Sequence, residues 1–325
     1  MKIVVVGSGF GGLAAAVRLV TAGHDVVLCE ARDKPGGRAY VYKIDGFTFD
    51  GGPTVITAPW LIEELFSGAG RDAKDYLTMV PVDPFYEIRF ESGERFRYND
   101  DREGMIAEIE RFNPGDVDGY LRFLRTAKDV FATGFGLIDT PFTTFGSMMK
   151  VLPDLVRLRA DRSVYDVVSR HITDERLRRV FSFHPLLVGG NPLQTTSIYA
   201  LILYLEREWG VWYAKGGTGA VIAALVRLFE ELGGRLRLST PIEEILVDRG
   251  SSQTRGVRTA SGEEIAADAV VCNSDVAETY RSLVPQHARK KNSDRRYEKM
   301  QYSMSLYVLY FGTDRVYDDI EHHTI

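Results

Sequence analysis

Glycines recur at a fixed spacing near the N-terminus, and an acidic residue follows them. Gly7, Gly9 and Gly12 stand in the segment GSGFGG, with Ser8 between the first two, and Glu30 comes eighteen residues after Gly12. In such a turn the first glycine permits a tight bend, the second lets the backbone approach a diphosphate, and the third lets a helix pack on a strand. A carboxylate at position 30 can accept hydrogen bonds from ribose hydroxyls. These residues therefore predict a site for the ADP half of a dinucleotide.

A second group of residues bears on which dinucleotide this is. The segment PGGR ends at Arg38 and follows Glu30 closely. NAD needs no further loop after the acidic residue, whereas an extended FAD presents a longer arm that a second loop must hold. Gly36 and Gly37 would let that loop come close, and Arg38 supplies a permanent cation for phosphate oxygens. The pattern favours FAD, although Arg32 could hold the 2′-phosphate of NADPH and each glycine pair alone could be an ordinary turn.

A third glycine-rich turn follows in the segment FTFDGGPTVIT, residues 47 to 57. Gly51, Gly52 and Pro53 would bring backbone amides against the flavin end of the cofactor, and Asp50 would fix the turn. By itself this segment could also be a simple turn. Together with the upstream pattern it extends the predicted FAD site.

The elements that must position these turns are strands alternating with helices. An apolar strand is predicted over residues 2–7, a helix over 11–23 that Gly23 ends, and a second strand over 24–30. Another glycine turn, helix and strands follow over 216–248, and one more buried strand lies in 263–275. This order predicts an α/β fold, a Rossmann-like domain with a parallel sheet and helices on both faces.

Composition sets the domain organisation and excludes some functions. The chain has 325 residues, 45% of them hydrophobic, and a net charge of −5, so it can bury a large core and shows no basic footprint for nucleic acid. The composition changes between the segments that are predicted to form the sheet. This change predicts a discontinuous FAD-binding domain, 1–75 and 210–278, interleaved with an α+β substrate domain, 76–209 and 279–325. Neither a signal peptide nor a membrane span is predicted.

Longer segments carry a resemblance to a known family. They include GSGFGGLAAAVRL, EARDKPGGRAYVY, FSFHPLLVGGNP and EREWGVWYAKGGTGA, and they extend from end to end of the chain. Together they resemble the bacterial phytoene desaturases of the carotenoid pathway, within the amine-oxidase-like flavoproteins. The resemblance implies an FAD-dependent enzyme that removes hydrogens from an acyclic polyene such as phytoene. It also implies a cytoplasmic protein peripherally bound to the inner face of the membrane, with quinone or oxygen as the electron acceptor.

The resemblance also assigns cofactor contacts, residue by residue. It places the first loop on the diphosphate, Glu30 on the adenosine ribose, the second loop on the phosphates, the third loop on the flavin side, and Ile242 against adenine. Plain core packing is the alternative for Ile242. The residues concerned are Gly7, Ser8, Gly9, Gly12, Glu30, Gly37, Arg38, Gly52, Pro53, Thr54, Val55 and Ile242.

Length is where this chain departs from the family. Related enzymes continue for well over a hundred residues, to a glycine-rich segment over the flavin, so the resemblance implies a C-terminally truncated chain. We expect weak FAD retention, poor solubility and negligible activity for the 325 residues alone, with an apolar strand at 304–312 that lacks a neighbour. Alternatives are a flavin oxidase of an amine or a porphyrinogen, and an inactive fragment.

Several other residues could have chemical roles, and most have a simpler interpretation. His184 is expected to be a hydrogen-bonded core or turn histidine, and both Cys29 and Cys272 to be small core residues. His322 and His323 lack a third ligand, so no metal site is predicted. No catalytic acid or base is assigned.

Two regions could meet an apolar substrate or a membrane. Aromatic residues in 131–159, with Trp209, Trp212 and Tyr213, offer material for a hydrophobic tunnel. Residues 147–162 combine apolar and basic side chains and could lie in a bilayer surface, or pack as an amphipathic helix on their own core, and Pro153 argues against a continuous helix.

Overall fold

The computed structural model describes residues 1–135 and 145–325, which divide into two compact units. Unit 1 comprises Met1–Val80 and Tyr213–Gln301, and unit 2 comprises Pro81–Trp212 and Tyr302–Ile325. Both units are therefore discontinuous in sequence. Residues 279–301, which we assigned to the second domain from the sequence, lie in unit 1.

Within the described residues the regular elements follow in chain order. The strands are β1 Lys2–Val6, β2 Asp25–Cys29, β3 Val41–Ile44, β4 Phe47–Asp50, β5 Met79–Pro81, β6 Tyr86–Arg89, β7 Arg95–Tyr98, β8 Trp212–Ala214, β9 Arg235–Arg237, β10 Ile242–Val247, β11 Thr254–Thr259, β12 Glu264–Ala266 and β13 Ala269–Cys272. The helices are α1 Phe10–Thr21, α2 Pro59–Gly68, α3 Arg102–Phe112, α4 Val117–Phe135, α5 Phe145–Arg157, α6 Val164–Ser169, α7 Glu175–Ser182, α8 Leu201–Trp209, α9 Thr218–Glu231, α10 Val276–Glu278 and α11 Asp294–Glu298.

A four-stranded parallel sheet forms the centre of unit 1, with the order β13-β1-β2-β9. Val4 of β1 lies beside Val270 of β13 on one side and Val27 of β2 on the other. Strands β1, β2 and β13 are short and mostly apolar, because a parallel sheet is covered on both faces, whereas the edge strand β9 is Arg-Leu-Arg. The predicted parallel sheet of an α/β fold is confirmed.

Helices cover one face of this sheet. Ile3 and Val5 point to that face with Leu28, and they pack against apolar side chains of α1, α2 and α9, including Leu13, Phe66 and Leu225. The alternation of Ile3 and Val5 with Val4 and Val6 follows from the period of two along a strand. This packing fixes α1 directly behind the glycine loop that precedes it.

The opposite face is covered by strands, where we expected helices. An antiparallel sheet of β10, β11 and β12 packs there, and its residues Ile245 and Val257 share a core with Val4, Val6 and Cys29. This antiparallel sheet can cover the second face as well as helices would, because Ile245, Val257 and Ala267 are buried against it. The expectation of helices on both faces is corrected at this point.

Unit 2 is built on helices and the antiparallel pair β6 and β7. Tyr86 pairs with Tyr98 in this hairpin, and both rings are fully buried among the aromatic residues Phe181 and Phe183. The strand predicted at 304–312 is absent, since this segment has no regular structure and most of its apolar side chains are exposed. Instead, backbone hydrogen bonds join residues 323–325 to Glu87 and Arg89 of β6.

None of the helices in residues 1–135 and 145–325 combines the length and the apolar character that crossing a membrane requires.

Candidate cofactor site

The glycine loop connects β1 to α1 in unit 1. Gly7 has a φ of +92°, which an L-residue with a side chain rarely adopts. A Cβ on Gly12 would lie 1.9 Å from the carbonyl oxygen of Gly7, so the third glycine is needed for the helix to leave the turn. Gly9 caps α1 without a side-chain hydrogen bond, which leaves the amides of the first helical turn available to an anion.

Glu30 lies at the end of β2 with its carboxylate buried beside this loop. Its Oε2 accepts hydrogen bonds from the Ser8 backbone N at 2.9 Å and from the Ser8 Oγ at 2.5 Å, and its Oε1 accepts from the Arg32 backbone N at 3.0 Å. An ionised carboxylate offers about four acceptor positions. Glu30 is therefore held in place by the loop and retains acceptor capacity for a ribose hydroxyl.

The second predicted loop lies directly against the first. Gly36 pairs with Gly9 in an isolated parallel bridge, and the Gly36 backbone N donates to the Ser8 carbonyl oxygen at 3.0 Å. Gly37 has a φ of +57°, and a Cβ on it would come within 3.0 Å of the Gly9 Cα. This contact explains why both loops are rich in glycine, since a side chain in either would separate them.

Arg38 extends from this loop into solvent. Among the described residues its guanidinium forms no hydrogen bond or ion pair, and it is exposed. Arg32 is engaged differently, because its Nη1 donates to the Gly37 carbonyl oxygen at 3.5 Å and its guanidinium lies 5.1 Å from the centre of the Tyr40 ring. The available cation of the loop is thus Arg38, the residue predicted to bind phosphates.

The third loop is fixed by contacts that the sequence did not predict. The Gly51 backbone N donates to the Tyr40 carbonyl oxygen at 2.7 Å, and a Cβ on Gly52 would lie 2.2 Å from the Arg38 carbonyl oxygen. Loop 51–53 therefore packs on the backbone of loop 38–40. All three predicted glycine loops meet in unit 1.

Asp50 does more than fix its own turn. Its Oδ2 accepts a hydrogen bond from the Thr218 backbone N at 3.1 Å, and its Oδ1 accepts one from the Gly219 backbone N at 3.4 Å. The N-cap of α9, Gly217, has no side chain for this purpose, so Asp50 caps the helix from a distant part of the chain. The Thr218 hydroxyl also donates to the Pro53 carbonyl oxygen, which joins α9 to the third loop.

Ile242 begins β10 and is partly buried against the core on the second face of the sheet. The chain reaches it from β9 by running alongside Glu30, because the Thr240 backbone N donates to the Glu30 carbonyl oxygen at 2.8 Å. Ile242 therefore lies two residues after Thr240, whose backbone contacts Glu30, the candidate ribose-binding residue. Both interpretations of Ile242, adenine contact and core packing, fit this position.

The residues present fit an FAD. The first helical turn of α1 offers uncapped amides, the glycines leave room for a close backbone approach, Glu30 is a held acceptor and Arg38 is a cation at the mouth of the loops.

Comparison with protein families decides the class of the chain. The family of flavin-containing amine oxidoreductases matches residues 10–322. The chain belongs to that family. Membership favours FAD over NAD for the three loops, in agreement with the prediction from PGGR.

Curated relatives of this chain give closer matches. It is 48% identical over 322 residues to the lycopene-forming phytoene desaturase of Pantoea ananas, and 49% identical over 325 residues to that of Pseudescherichia vulneris. The alignments cover 99% and 100% of this chain but 65% and 66% of the relatives, so the chain spans about two thirds of their length. The resemblance found in the sequence is thereby confirmed.

A solved structure shows the same fold at low sequence identity. Wild-type putrescine oxidase bound to putrescine superposes with a TM-score of 0.61 at 19% identity, over 88% of this chain and 62% of the other. The shared fold says nothing about the substrate.

Unit 2 contains a buried polar group around the predicted core histidine. His184 Nε2 lies 3.0 Å from Glu206 Oε2, and the Tyr86 hydroxyl donates to Glu206 Oε1 at 2.7 Å. Burial, followed by the nearby Glu206, raises the pKa of Tyr86 far above its usual range. The prediction of a hydrogen-bonded core histidine is confirmed, but Glu206, its partner, was not anticipated.

The remaining predicted residues are distributed as follows. Cys29 is a core residue, as predicted, and burial raises the pKa of its thiol to about 11, whereas Cys272 is only half-buried. Trp209 packs on Phe131 in unit 2, with ring centres 5.2 Å apart. Residues 136–144 of the expected tunnel lie outside the described part of the chain. His322 and His323 contact each other through their Nδ1 atoms at 2.7 Å.

Proposed function

We propose that the protein to which these residues belong is an FAD-dependent desaturase of an acyclic carotenoid precursor such as phytoene. The observation that carries the proposal is the identity of 48–49% across essentially the whole chain to two lycopene-forming phytoene desaturases. The geometry of the three loops supports it, because these loops offer a site for the FAD that such a reaction needs. Amine or porphyrinogen oxidation has no comparable support, since the solved putrescine oxidase is only 19% identical to this chain, against 48–49% for the two desaturases.

The chain's own residues would hold the cofactor in the following way. The loop from Gly7 to Gly12 and the first turn of α1 take the diphosphate, Glu30 accepts the ribose hydroxyls, and Arg38 neutralises phosphate charge. Loop 52–55 lies on the flavin side. In this proposal unit 1 is the cofactor domain and unit 2 the substrate domain.

The reaction needs little acid or base from the protein. FAD, when bound, would supply the hydride acceptor for a carbon next to an alkene. The neighbouring carbon would lose its proton to a nearby acceptor as the new double bond forms, and the delocalised cation makes a strong base unnecessary. Quinone or oxygen would reoxidise the flavin. Aromatic and aliphatic side chains of unit 2, such as Phe131, Tyr204 and Trp209, would keep water from the apolar substrate.

The test is a chimera in which this chain replaces the matching part of the Pantoea ananas relative. Expressed in a phytoene-accumulating host, the chimera should contain FAD and form coloured polyenes. Its Gly9→Val variant should neither contain FAD nor form coloured polyenes, because the new side chain fills the space of the diphosphate. The loop itself should tolerate the change, since the Cβ has no backbone atom within 3.4 Å. A folded chimera that carries FAD but leaves phytoene unchanged and oxidises putrescine would contradict the substrate class. A chimera that bound stoichiometric NADPH in place of FAD would contradict the proposed cofactor.

We further propose that α5 docks this protein on an anionic membrane surface, where such a substrate dissolves. The helix runs through Pro153 to Arg157, so the proline does not interrupt it. Its residues Met149, Leu152 and Val156 form an apolar stripe that is 48%, 44% and 64% exposed, whereas Val151 packs inward. Basic side chains follow the stripe at Arg157, Arg159 and Arg162. A helix packed only on its own core would bury this stripe, and an exposed stripe beside cations is typical of interfacial helices.

Flotation with phosphatidylglycerol vesicles tests the docking surface. The double variant Leu152→Glu and Val156→Glu should bind about tenfold more weakly, because two apolar side chains no longer enter the bilayer. Leu238→Glu, at an exposed leucine of unit 1, is the matched control and should bind like the parent chain. Equal binding by the double variant and the control would exclude the α5 stripe as the docking surface.

A further inference from the structure

Asn273 follows the last strand of the parallel sheet and lies next to the start of the glycine loop. Its backbone N donates to the Val6 carbonyl oxygen at 2.8 Å, directly after the register pair of Cys272 with Val6. The position of Asn273 is therefore fixed by the sheet and does not depend on a surface loop.

The strand order places this residue at a crevice. From β1 the chain passes to β2 and then β9 on one side, and it returns to β13 on the other side of β1. Open α/β sheets bind their ligands outside the carboxyl ends of the strands, where the direction of winding reverses. That reversal lies between β1 and β13, so Asn273 and the glycine loop form its two walls.

The side chain of Asn273 faces the glycine loop. Its Nδ2 lies 3.2 Å from the Cβ that Gly9 or Gly12 would carry, and its Oδ1 lies 2.5 Å from that of Gly11. The carboxamide is exposed, and in residues 1–135 and 145–325 it forms no side-chain hydrogen bond. An amide group that touches the diphosphate loop thus has its donors available.

We propose that Asn273 is a cofactor-binding residue whose side-chain amide donates a hydrogen bond to the diphosphate of the bound dinucleotide. The inference rests on the proposed cofactor site and adds a contact to it. Asn273 supplies a neutral donor from the β13 side, while Arg38 supplies charge from the opposite loop. A hydrogen bond to a charged oxygen contributes enough to change affinity about tenfold.

The experiment titrates the 325-residue chain with ADP, which carries the diphosphate without the flavin, by calorimetry. Asn273→Ala should bind ADP about tenfold more weakly, and the isosteric Asn273→Asp more weakly still, because it presents a negative charge to the phosphates. Melting without ADP should be unchanged in both, since the side chain is exposed and makes no hydrogen bond within the part of the chain that the structure describes. Ser274→Ala is the matched control, because its Oγ lies by Cys272 and Thr279, and it should keep the parent affinity.

The outcomes separate this inference from the cofactor site itself. Parent-like ADP affinity in Asn273→Asp, together with lost affinity in Gly9→Val, would overturn the role of Asn273 and leave the loop assignment standing. Failure of the parent chain to bind ADP would overturn both. Equal losses in Asn273→Ala and Ser274→Ala would show that the segment, and not the amide, determines affinity, and would also contradict the inference.

Discussion

Glu30 of unit 1 and Glu206 of unit 2 are both buried, and they are held in different ways. Glu30 in unit 1 is 6% exposed and accepts two backbone hydrogen bonds and one hydroxyl from loops at the sheet edge. Glu206 in unit 2 is fully buried, and its oxygens meet two side chains, the Tyr86 hydroxyl and His184 Nε2.

The difference separates the proposed ribose-binding group from a structural one. Two backbone donors and the Ser8 hydroxyl hold Glu30 without using all its acceptor positions, and Glu30 follows the carboxyl end of β2, the edge at which open α/β sheets bind ligands. The partners of Glu206 come from a strand and a distant turn, so removing the carboxylate leaves two buried polar groups unpaired. We therefore expect Glu206 to govern the stability of unit 2 and Glu30 to govern nucleotide affinity.

The largest effect is expected for Glu206→Ala. This change leaves Tyr86 and His184 without their hydrogen-bond partner in a fully buried setting. Because each unpaired group costs about 1–3 kcal/mol, the unfolding free energy of unit 2 should fall by about 3 kcal/mol or more. Hydrogen exchange of the β6–β7 hairpin measures this loss. Glu208→Ala, exposed on the same helix, is the control and should leave exchange unchanged. Equal protection in both variants would remove the contrast between the two glutamates.

The next effect is expected for Glu30→Gln. The amide keeps the shape and one acceptor but loses the charge-assisted bonds to Ser8 and to a ribose, so affinity for ADP should fall about tenfold. Protection of the β6–β7 hairpin should stay at the parent value, since Glu30 belongs to unit 1. A variant that binds ADP as tightly as the parent would show that Glu30 only holds the loop.

A smaller effect is expected for Tyr86→Phe. This change removes one hydrogen bond to Glu206 and keeps the ring, so unit 2 should lose about 1 kcal/mol. Combined with Glu206→Ala the loss should be less than additive, because both changes remove the same contact. Additive losses in urea unfolding would mean that the hydroxyl acts independently of the carboxylate.

The smallest effect is expected for Tyr98→Phe. Its hydroxyl is buried without a hydrogen-bond partner among the described residues, and burial raises its pKa well above the usual range. Removing an unpaired polar atom should leave the urea midpoint equal to or above that of the parent chain, in contrast to Tyr86→Phe. A marked loss of stability would reveal a bound water at this hydroxyl.

The sequence alone determined the β1-α1-β2 unit and its turns, because these follow from local rules. An apolar strand, glycines that must bend and a helix of small apolar residues specify each other over about thirty residues, and Glu30 falls at a set distance from them. The bounds of α1 and β2 were predicted to within one or two residues. The PGGR motif in the same stretch favoured FAD, and the family resemblance implied the same cofactor.

The tertiary structure alone decided the contacts between distant segments. Asp50 caps α9 across 168 residues, Tyr86 reaches Glu206 across 120, and Asn273 meets the first glycine loop from the far end of unit 1. Spacing cannot predict such pairs, because each depends on which strands become neighbours and on where a side chain then points. The same reason explains the two errors of fold. Strands cover the second face of the sheet because a β-meander packs there, and residues 304–312 form no strand because apolar composition provides β propensity but not a partner.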